Sequence, residues 1–228
     1  MIISVLIPCF NEKNTIEEIV NRVNNLKDLE TEIIIVDDCS SDGTKEILKE
    51  KIHEKVSKII YNQTNFGKGY CLKRAIEIAE GEIILIQDAD LEYNPKEYYK
   101  LIKPIIDGHA DVVYGSRFIG SEEKRILFFW HTVVNKLLTL TSNMFTNLNL
   151  TDMETCYKVF KKEVIEKIEL KENGFGFDPE VTAKIAKLKP KIYEVGISYF
   201  GRTYSEGKKI GFKDAFIVLK CIFIYNLF

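Results

Sequence analysis

The sequence has no closely spaced pair of cysteines. Its five cysteines are widely separated, odd in number and never in a CxxC arrangement, which indicates neither a zinc site nor a disulfide framework. A reduced, cytosolic setting fits this distribution best. A strong excess of one charge is also lacking. The formal net charge of −2 provides no global basic field, so we expect no nucleic-acid partner.

Long apolar runs are missing as well. No uninterrupted run reaches the ~18 residues that indicate a membrane-spanning helix, and the amino terminus lacks a basic leader and a small-residue cleavage site. Two apolar segments remain, at 126–150 and 215–228. The second would form a helix of ~21 Å, too short for a ~30 Å hydrocarbon core. We expect both segments to lie in a membrane interface, with core or dimer packing as the alternative.

Short β-branched runs alternate with helical patterns along the first half of the chain. Strands are predicted at 2–7, 32–36, 58–61, 82–86 and 110–115. This alternation predicts an α/β fold with a mostly parallel sheet, right-handed crossovers and flanking helices. We expect one domain over 1–211, which includes a helix at 126–150, followed by a C-terminal apolar helix over 212–228.

Capping residues predict where three of the helices begin. Thr15 and Glu18 have the spacing of a capping box ahead of an apolar stripe. Asn94 and Asp178 are each followed by a proline, which is typical of an N-cap residue and the first helical position.

Polar clusters follow three of the predicted strands. They are "PCFNE" (8–12), "DDCSSDG" (37–43) and "DADLE" (88–92). Because ligands of parallel α/β sheets bind at the carboxyl ends of the strands, the three clusters are predicted to share one cleft. The third contains an Asp-x-Asp pair, and alternate carboxylates at a strand end suit a hard cation such as Mg²⁺, which binds one or two carboxylates together with substrate phosphates.

Five segments resemble the motifs of family 2 glycosyltransferases with the GT-A fold. They are "IPCFNE", "VDDCSSDGT", "DADLEYNP", "GSRF" and "GRTYSEGKK". The resemblance covers nearly the whole chain, is weakest across 120–150, and is strongest to dolichyl-phosphate mannosyltransferases and related polyprenyl-phosphate glycosyltransferases. It implies metal-dependent, inverting transfer of a hexose from a nucleotide-sugar, foremost mannose from GDP-mannose, to dolichyl or undecaprenyl phosphate.

The resemblance also implies which residues bind the donor. Nucleotide contacts fall on Pro8, Phe10, Glu12, Val36, Asp38, Asp88 and Ala89. Asp90 and Glu92 would complete the donor site by ligating Mg²⁺ or Mn²⁺, although many relatives have glutamine where this chain has Glu92. Arg202 and Lys208 lie in a glycine-flanked stretch that we expect to close over the donor diphosphate.

A second group of residues is implied for the acceptor. Arg117, in "GSRF", would hold the acceptor phosphate, since the guanidinium fork suits phosphate oxygens. On the first apolar segment, His131, Asn135, Thr139 and Ser142 fall in one narrow polar stripe at 100° per residue. We expect this stripe, and His131 and Asn135 in particular, to face the acceptor phosphate.

The catalytic roles follow from the charges of the substrates. An acceptor phosphate is mostly dianionic at neutral pH and needs no general base, so Asp90, Arg117 and Arg202 would act by gathering anions. The alternative is a family 2 enzyme that uses UDP-glucose or a UDP-N-acetylhexosamine, or that extends a saccharide. Attack by a saccharide hydroxyl needs a base, which would be Asp178 or Asp152. Asp152 could equally bridge a basic residue or cap a loop.

Two further classes of protein fit the sequence less well. Sugar-phosphate nucleotidyltransferases carry a glycine-rich loop after the first strand, where this chain has none, and a non-catalytic nucleotide-binding protein would not need the full acidic set. Lys68 is interpreted as an exposed loop lysine. We expect a peripheral protein on the cytoplasmic face of a membrane, held by the lipid surface or by a membrane-embedded subunit.

Overall fold

One seven-stranded sheet organises the protein, and its strand order is β3-β2-β1-β4-β6-β5-β7. The structure is a computed structural model that describes residues 1–126, 128–207 and 211–227. The strands are β1 (Ile2–Cys9), β2 (Glu30–Asp37), β3 (Lys58–Tyr61), β4 (Ile83–Ile86), β5 (Val112–Ser116), β6 (Lys158–Lys161) and β7 (Ile192–Gly196). Only β6 runs antiparallel to its neighbours, β4 and β5. The predicted mostly parallel sheet is therefore confirmed.

Eight α-helices are described around this sheet. They are α1 (Ile16–Asn24), α2 (Thr44–Ile47), α3 (Lys68–Ile78), α4 (Tyr98–Ile106), α5 (Phe129–Thr146), α6 (Lys162–Ile165), α7 (Phe177–Leu188) and α8 (Phe212–Leu227). α1 illustrates how the helices are fixed, because its apolar residues at helical spacing are all buried against the sheet. The helix predicted at 126–150 is shorter at both ends than expected.

The apolar strands β1, β2 and β4 form the centre of the core. Their side chains at positions such as Val5, Ile34 and Leu85 have no exposed surface. Strands buried on both faces read as continuous apolar runs, which is why the sequence predicts them well. Their carboxyl ends lie together at one edge of the sheet, and each is followed by one of the polar clusters.

One of the three predicted helix caps is present as expected. The side chain of Asn94 accepts a hydrogen bond from the backbone N–H of Lys96 at 3.2 Å, at the start of a 3₁₀ turn that leads into α4. The capping box of Thr15 is wrong, because its hydroxyl instead donates to Oε2 of Glu12 at 2.8 Å. Thr15 thereby orients a carboxylate that lines the cleft described below.

The predicted N-cap role of Asp178 is also wrong. α7 begins one residue earlier, at Phe177, and Asp178 lies inside its first turn. Its carboxylate contacts the ammonium group of Lys158, whose side chain has no exposed surface. The electrostatic demand of a buried lysine, rather than the helix terminus, determines where this carboxylate points.

α5 and α8 lie outside the main sheet-and-helix layers and pack against each other. Leu138 of α5, Met153, and Val218 and Ile222 of α8 form a small second apolar cluster. α8 also contacts α7. Across the described ranges, no helix combines the length and the apolar character that crossing a membrane requires.

Candidate active site

A cavity of about 800 Å³ opens at the carboxyl edge of the sheet. Residues that follow β1, β2, β4 and β5 line one side of it, and α5 and α8 line the other. The three polar clusters predicted to share a cleft do share this one, since Glu12, Asp38 and Asp90 all lie on its wall. Residues that precede the antiparallel strand β6 also line the cavity, because the amino end of β6 faces the same edge as the carboxyl ends of β4 and β5.

Three carboxylates in the cavity converge on one guanidinium. Nη2 of Arg202 donates to Oδ2 of Asp90 at 2.5 Å, and Nη1 lies 3.2 Å from both carboxylate oxygens of Glu12. Nε of Arg202 lies 3.3 Å from Oε1 of Glu92, which also accepts the backbone N–H of Arg202 at 2.7 Å. Tyr199 donates to the other oxygen of Glu92. The counter-charge of this acidic cluster is therefore Arg202.

The cluster still carries an excess of negative charge. Burial, together with the charges of Asp88 and Glu92, raises the pKa of Asp90 to about 7, although Arg202 opposes this shift. A carboxylate that is crowded in this way is stabilised by additional positive charge.

The donor chemistry of this cluster fits a divalent metal ion. Asp90 and Glu92 offer hard oxygen ligands two positions apart in one loop, as Mg²⁺ and Mn²⁺ prefer. Within the described part of the chain, no group of three His, Cys, Asp or Glu side chains is arranged to hold a metal on its own. Two carboxylates that share a cation with substrate phosphates therefore describe the site better than a protein-only cage. At Asp90 such a cation would take the place of Arg202.

The residues predicted to contact the nucleotide are brought together with one exception. Pro8, Phe10, Asp38 and Ala89 line the cavity. Val36 is the exception. Its side chain is fully buried within β2 and is absent from the cavity wall.

Asp38 has a defined structural role in addition to its place on the wall. Its carboxylate accepts hydrogen bonds from the side chain of Asn62 at 2.8 Å and from the backbone N–H groups of Phe66 and Gly67 at 3.0 and 2.7 Å. Asp38 therefore fixes the loop that leads into α3.

Lys68 is a site residue that the sequence interpretation missed. Its ammonium group lies 2.6 Å from Oδ1 of Asp88, and both side chains line the cavity. Burial acts in the opposite direction, but the charge and hydrogen bond of Lys68 lower the pKa of Asp88. The interpretation of Lys68 as an exposed loop lysine is wrong. Glycines on both sides suggested a free loop, whereas the lysine opens α3.

Arg117, which also lines the cavity, is held by a buried carboxylate. Its Nε and Nη2 donate to the two oxygens of Asp152 at 2.6 and 2.7 Å, and Asp152 has no exposed surface. The ring of Tyr199 lies 5.2 Å from the guanidinium carbon, a distance typical of cation–π contacts. Of the roles considered for Asp152, bridging a basic residue is the one that the structure contains.

The polar stripe of α5 divides into two halves. His131 and Asn135 line the cavity, where Nε2 of His131 is 3.0 Å from the hydroxyl of Tyr204 and Nδ2 of Asn135 is 3.4 Å from Asp152. Thr139 and Ser142 are buried, so the expectation that they face an acceptor is wrong. Thr139 points toward the segment that follows α5, since its hydroxyl accepts the N–H of Met153.

Additional cations line the cavity beside Arg117. Nζ of Lys124 lies 3.4 Å from the carbonyl oxygen of Arg117, and Nζ of Lys136 lies 5.7 Å from the ring centroid of Phe118. Neither lysine belongs to a recognisable motif, so no sequence signal pointed to them. Lys208, predicted to close over the donor, lies outside the described residues.

Fold and site together define a glycosyltransferase of the GT-A fold, the class to which its solved structural neighbours belong. The chain belongs to Glycosyl transferase family 2, which matches residues 4–169. The predicted enzyme class is thereby confirmed.

Two relatives are identical to the chain at more than a quarter of the aligned positions. It is 29% identical over 215 residues to a dolichol-phosphate mannosyltransferase of Pyrococcus furiosus, covering 92% of this chain and 61% of the relative. It is 27% identical over 223 residues to an undecaprenyl-phosphate mannosyltransferase of Micrococcus luteus, covering 92% and 88%. The chain therefore spans less than two thirds of the first relative and most of the second.

A solved structure with a similar fold is the glucosyl-3-phosphoglycerate synthase of Mycobacterium tuberculosis, crystallised with Mn²⁺, UDP and glucosyl-3-phosphoglycerate. The TM-score is 0.76 at 18% identity, and the match covers 98% of this chain and 79% of the other. At this identity the likeness concerns the fold.

Proposed function

We propose that the protein transfers a hexose from a nucleotide-sugar to a polyprenyl phosphate, with inversion at the anomeric carbon and with a divalent cation. The observation that carries this proposal is that both carboxylates considered as bases are engaged by cations. Asp152 is fully buried under Arg117, and Asp178 contacts the buried Lys158. A hydroxyl acceptor needs a free base, whereas a phosphate acceptor brings its own oxyanion.

The chemistry then consists of gathering anions. An oxygen of the acceptor phosphate attacks the anomeric carbon, the bond from that carbon to the diphosphate breaks, and the nucleoside diphosphate leaves. No proton has to be transferred. Arg117 would offset charge on the acceptor, while Lys68 and Arg202 would offset charge on the donor diphosphate. A cation held by Asp90 and Glu92 would supply Lewis-acid stabilisation of the leaving group.

Mannose from GDP-mannose is the donor we propose. The names of the two relatives, both mannosyltransferases, support it. UDP-glucose and UDP-N-acetylhexosamines are the alternatives, and the UDP in the structural neighbour makes them worth assaying. The cavity wall offers both apolar contacts, from Pro8 and Phe10, and hydrogen-bond acceptors, from Asp38 and Glu12, for a base and a ribose.

A membrane surface is the place we propose for the reaction. The outer face of α5 exposes large apolar side chains, among them Trp130 at 66% and Met144 at 74%, and α8 continues this face with Phe216 at 75%. The inner face of the same two helices lines the cavity, through residues such as Asn135 and Val218. A prenyl chain could therefore run from the phosphate at Arg117 onto this face and into lipid.

The proposed side of the membrane is cytoplasmic, because nucleotide-sugars are made there. The apolar outer face of α5 and α8 is the surface that would contact lipid or a membrane-embedded subunit. The saccharide-extending alternative would not require this face, whereas a lipid acceptor explains why it adjoins the cavity.

The acceptor class is tested with paired substrates. GDP-mannose, UDP-glucose and UDP-N-acetylglucosamine are each incubated with dolichyl or undecaprenyl phosphate, and with the corresponding prenyl alcohol, in Mn²⁺. We expect transfer to the phosphate and none to the alcohol. Transfer to the alcohol or to an added saccharide, without transfer to the phosphate, would overturn the proposal in favour of a hydroxyl acceptor.

A further inference from the structure

Glu154 is a carboxyl group on the cavity wall that the reaction described above does not use. It lies in the segment 151–157 between α5 and β6 and lines the cavity. Its Oε1 atom is buried and makes no hydrogen bond to any described residue. Buried polar atoms are nearly always hydrogen-bonded, so an unpartnered one at the wall of a ligand cavity points to a group supplied by a ligand.

The charges around Glu154 determine its protonation. Burial raises its pKa to about 8, and the neighbouring charges of Asp178 and Asp152 act in the same direction, whereas Lys158 and Arg117 oppose them. At neutral pH the side chain is therefore mostly a neutral carboxylic acid. In that state it has one O–H donor and one carbonyl acceptor, a pair that matches a sugar hydroxyl.

Glu154 is close to residues of both proposed phosphate-binding groups. Asp178 and Lys158 act electrostatically on Glu154 and also on the Lys68–Asp88 pair proposed for the donor. Arg117, proposed for the acceptor phosphate, acts on Glu154 as well, and Lys68, Arg117 and Glu154 line the same cavity. In a transfer from a diphosphate to a phosphate, the sugar occupies the space between the two anionic groups. A wall residue near both groups is therefore in a position to contact the sugar.

We propose that Glu154 binds a hydroxyl group of the transferred hexose and thereby selects among donor sugars. The inference rests on the proposed use of a nucleotide-sugar. It adds a residue that recognises the sugar of that donor. A site that offers a buried hydrogen-bonding group rejects a sugar whose hydroxyl is absent or points elsewhere, because the protein group is then left unpaired. Epimers should therefore be distinguished by Glu154 more than by the phosphate-binding residues.

The same carboxyl could in principle act as a general base, and its protonation argues against that use. A base must be ionised, whereas Glu154 holds its proton at neutral pH. The two roles predict opposite behaviour for Glu154→Gln. An amide keeps a donor and an acceptor at that place and preserves sugar binding, but it cannot remove a proton.

The test measures binding rather than turnover. Titration calorimetry in Mn²⁺ compares wild type, Glu154→Gln and Glu154→Ala with GDP-mannose, GDP-glucose, UDP-glucose and UDP-galactose, which form pairs of epimers at C2 or C4. GDP and UDP are titrated as ligands without a sugar. Glu163→Gln, on the exposed side of α6, is the matched control. Thermal unfolding of each variant reports whether it is folded.

We expect Glu154→Ala to lose about tenfold or more in affinity for the preferred nucleotide-sugar and to discriminate less between its epimers. Affinity for the sugar-free nucleotide should be unchanged, and Glu154→Gln should retain most of the wild-type affinity and activity. Equal losses for nucleotide and nucleotide-sugar would overturn the inference, as would unchanged epimer ratios. Abolished turnover with intact sugar binding in Glu154→Gln would assign a base instead. Failure of transfer to a polyprenyl phosphate would overturn the proposed acceptor and leave these binding results unaffected.

Discussion

The guanidinium of Arg202 lies 2.5 Å from Asp90, the carboxylate predicted to ligate a metal ion. Arg202 occupies one acceptor position of Oδ2, so a cation that binds Asp90 on that side would compete with the guanidinium. A displaced guanidinium would be available for the donor diphosphate. In the proposed function, metal binding and donor binding would then be coupled through this side chain.

Replacing Arg202 should make the metal site easier to fill. In the variant Arg202→Gln, the three carboxylates lose the charge of Arg202, so Mn²⁺ should raise its melting temperature more than that of wild type, by about 2–4 °C for each kcal/mol of extra binding. Turnover should fall, because the donor diphosphate loses a partner. Thermal unfolding with and without Mn²⁺ measures the first effect. Arg22→Gln, at an exposed pair with Glu18, is the control, and equal Mn²⁺ shifts in both variants would contradict the competition.

Removal of metal should abolish activity reversibly. Excess chelator should reduce transfer to background, and Mg²⁺ or Mn²⁺ should restore it, because Asp90 and Glu92 need a cation that they share with the diphosphate. Asp90→Ala should be inactive, while Glu92→Gln should be milder, since an amide oxygen still ligates. Full activity in excess chelator would show that these carboxylates serve another purpose.

The stability of the metal-free protein should decrease as the pH rises from about 4 to about 7. The pKa of Asp90 is about 7 in the folded protein and has an ordinary value of 3.8, so over this range the folded state keeps a proton that the unfolded state has lost. Each pH unit then costs up to about 1.4 kcal/mol.

Urea unfolding at a series of pH values measures this dependence. Asp90→Asn should make the curve less steep, with the slope due to Glu154 remaining, and Mn²⁺ should do the same in wild type. The substitution Asp107→Asn, at an exposed pair with Lys103, provides the comparison. A wild-type curve that matches that of Asp90→Asn between pH 4 and 8 would show that Asp90 ionises normally.

Loss of the carboxylate under Arg117 should cost stability as well as acceptor binding. Removing one partner of a buried ion pair typically destabilises a protein by about 3–5 kcal/mol, whereas an exposed pair contributes about 1 kcal/mol or less. Asp152→Asn should therefore approach the first value in urea unfolding, and Asp107→Asn the second. Arg117→Lys keeps the charge but loses the fork, so it should raise the acceptor KM and leave nucleotide affinity unchanged. An unchanged acceptor KM would remove Arg117 from the acceptor site.

Charges placed on the apolar face of α5 should reduce membrane binding. Leu137 and Leu140 are 60% and 57% exposed, so the double substitution to Glu should cost little stability while opposing contact with lipid. In liposome flotation, the bound fraction should fall relative to wild type, while activity on a short, water-soluble prenyl phosphate persists. Ile106→Glu, on α4 and 53% exposed, is the matched control. Equal flotation of all three proteins would contradict a role for this face.

The parts of the fold that the sequence predicted are those fixed by local pattern. β1, β2 and β4 are apolar throughout because they are buried on both faces, and the clusters after them carry motifs with known counterparts. β6 was missed for a physical reason. It is four residues long and begins with Lys158, and this lysine becomes compatible with a buried strand through the carbonyl oxygen of Thr155 and through Asp178, twenty residues later.

Site residues were easiest to predict where the type of side chain and its position in a motif indicate one function. Carboxylates at a strand end predict a cleft residue, and Asp90 and Glu92 do lie on the cavity wall, while their use as metal ligands stays a prediction. The sequence could not supply the pairing of Arg202 with them, nor that of Lys68 with Asp88, because such pairs depend on distances between loops. Glu154 gave no signal either, since its importance lies in the absence of a partner for Oε1 among the described residues.

The cavity is lined mainly by two consecutive segments of the chain, and the second of them ends at the antiparallel strand β6. Most of the residues proposed to hold the nucleotide precede Tyr93, while Arg117, the helix α5 and Glu154 belong to the stretch that ends where β6 begins. If the proposed roles hold, sugar and acceptor preference would change during evolution by alterations confined to one continuous segment, with the nucleotide half left intact. Grafting residues 117–157 from a relative of different preference is the corresponding engineering route to a new glycolipid product.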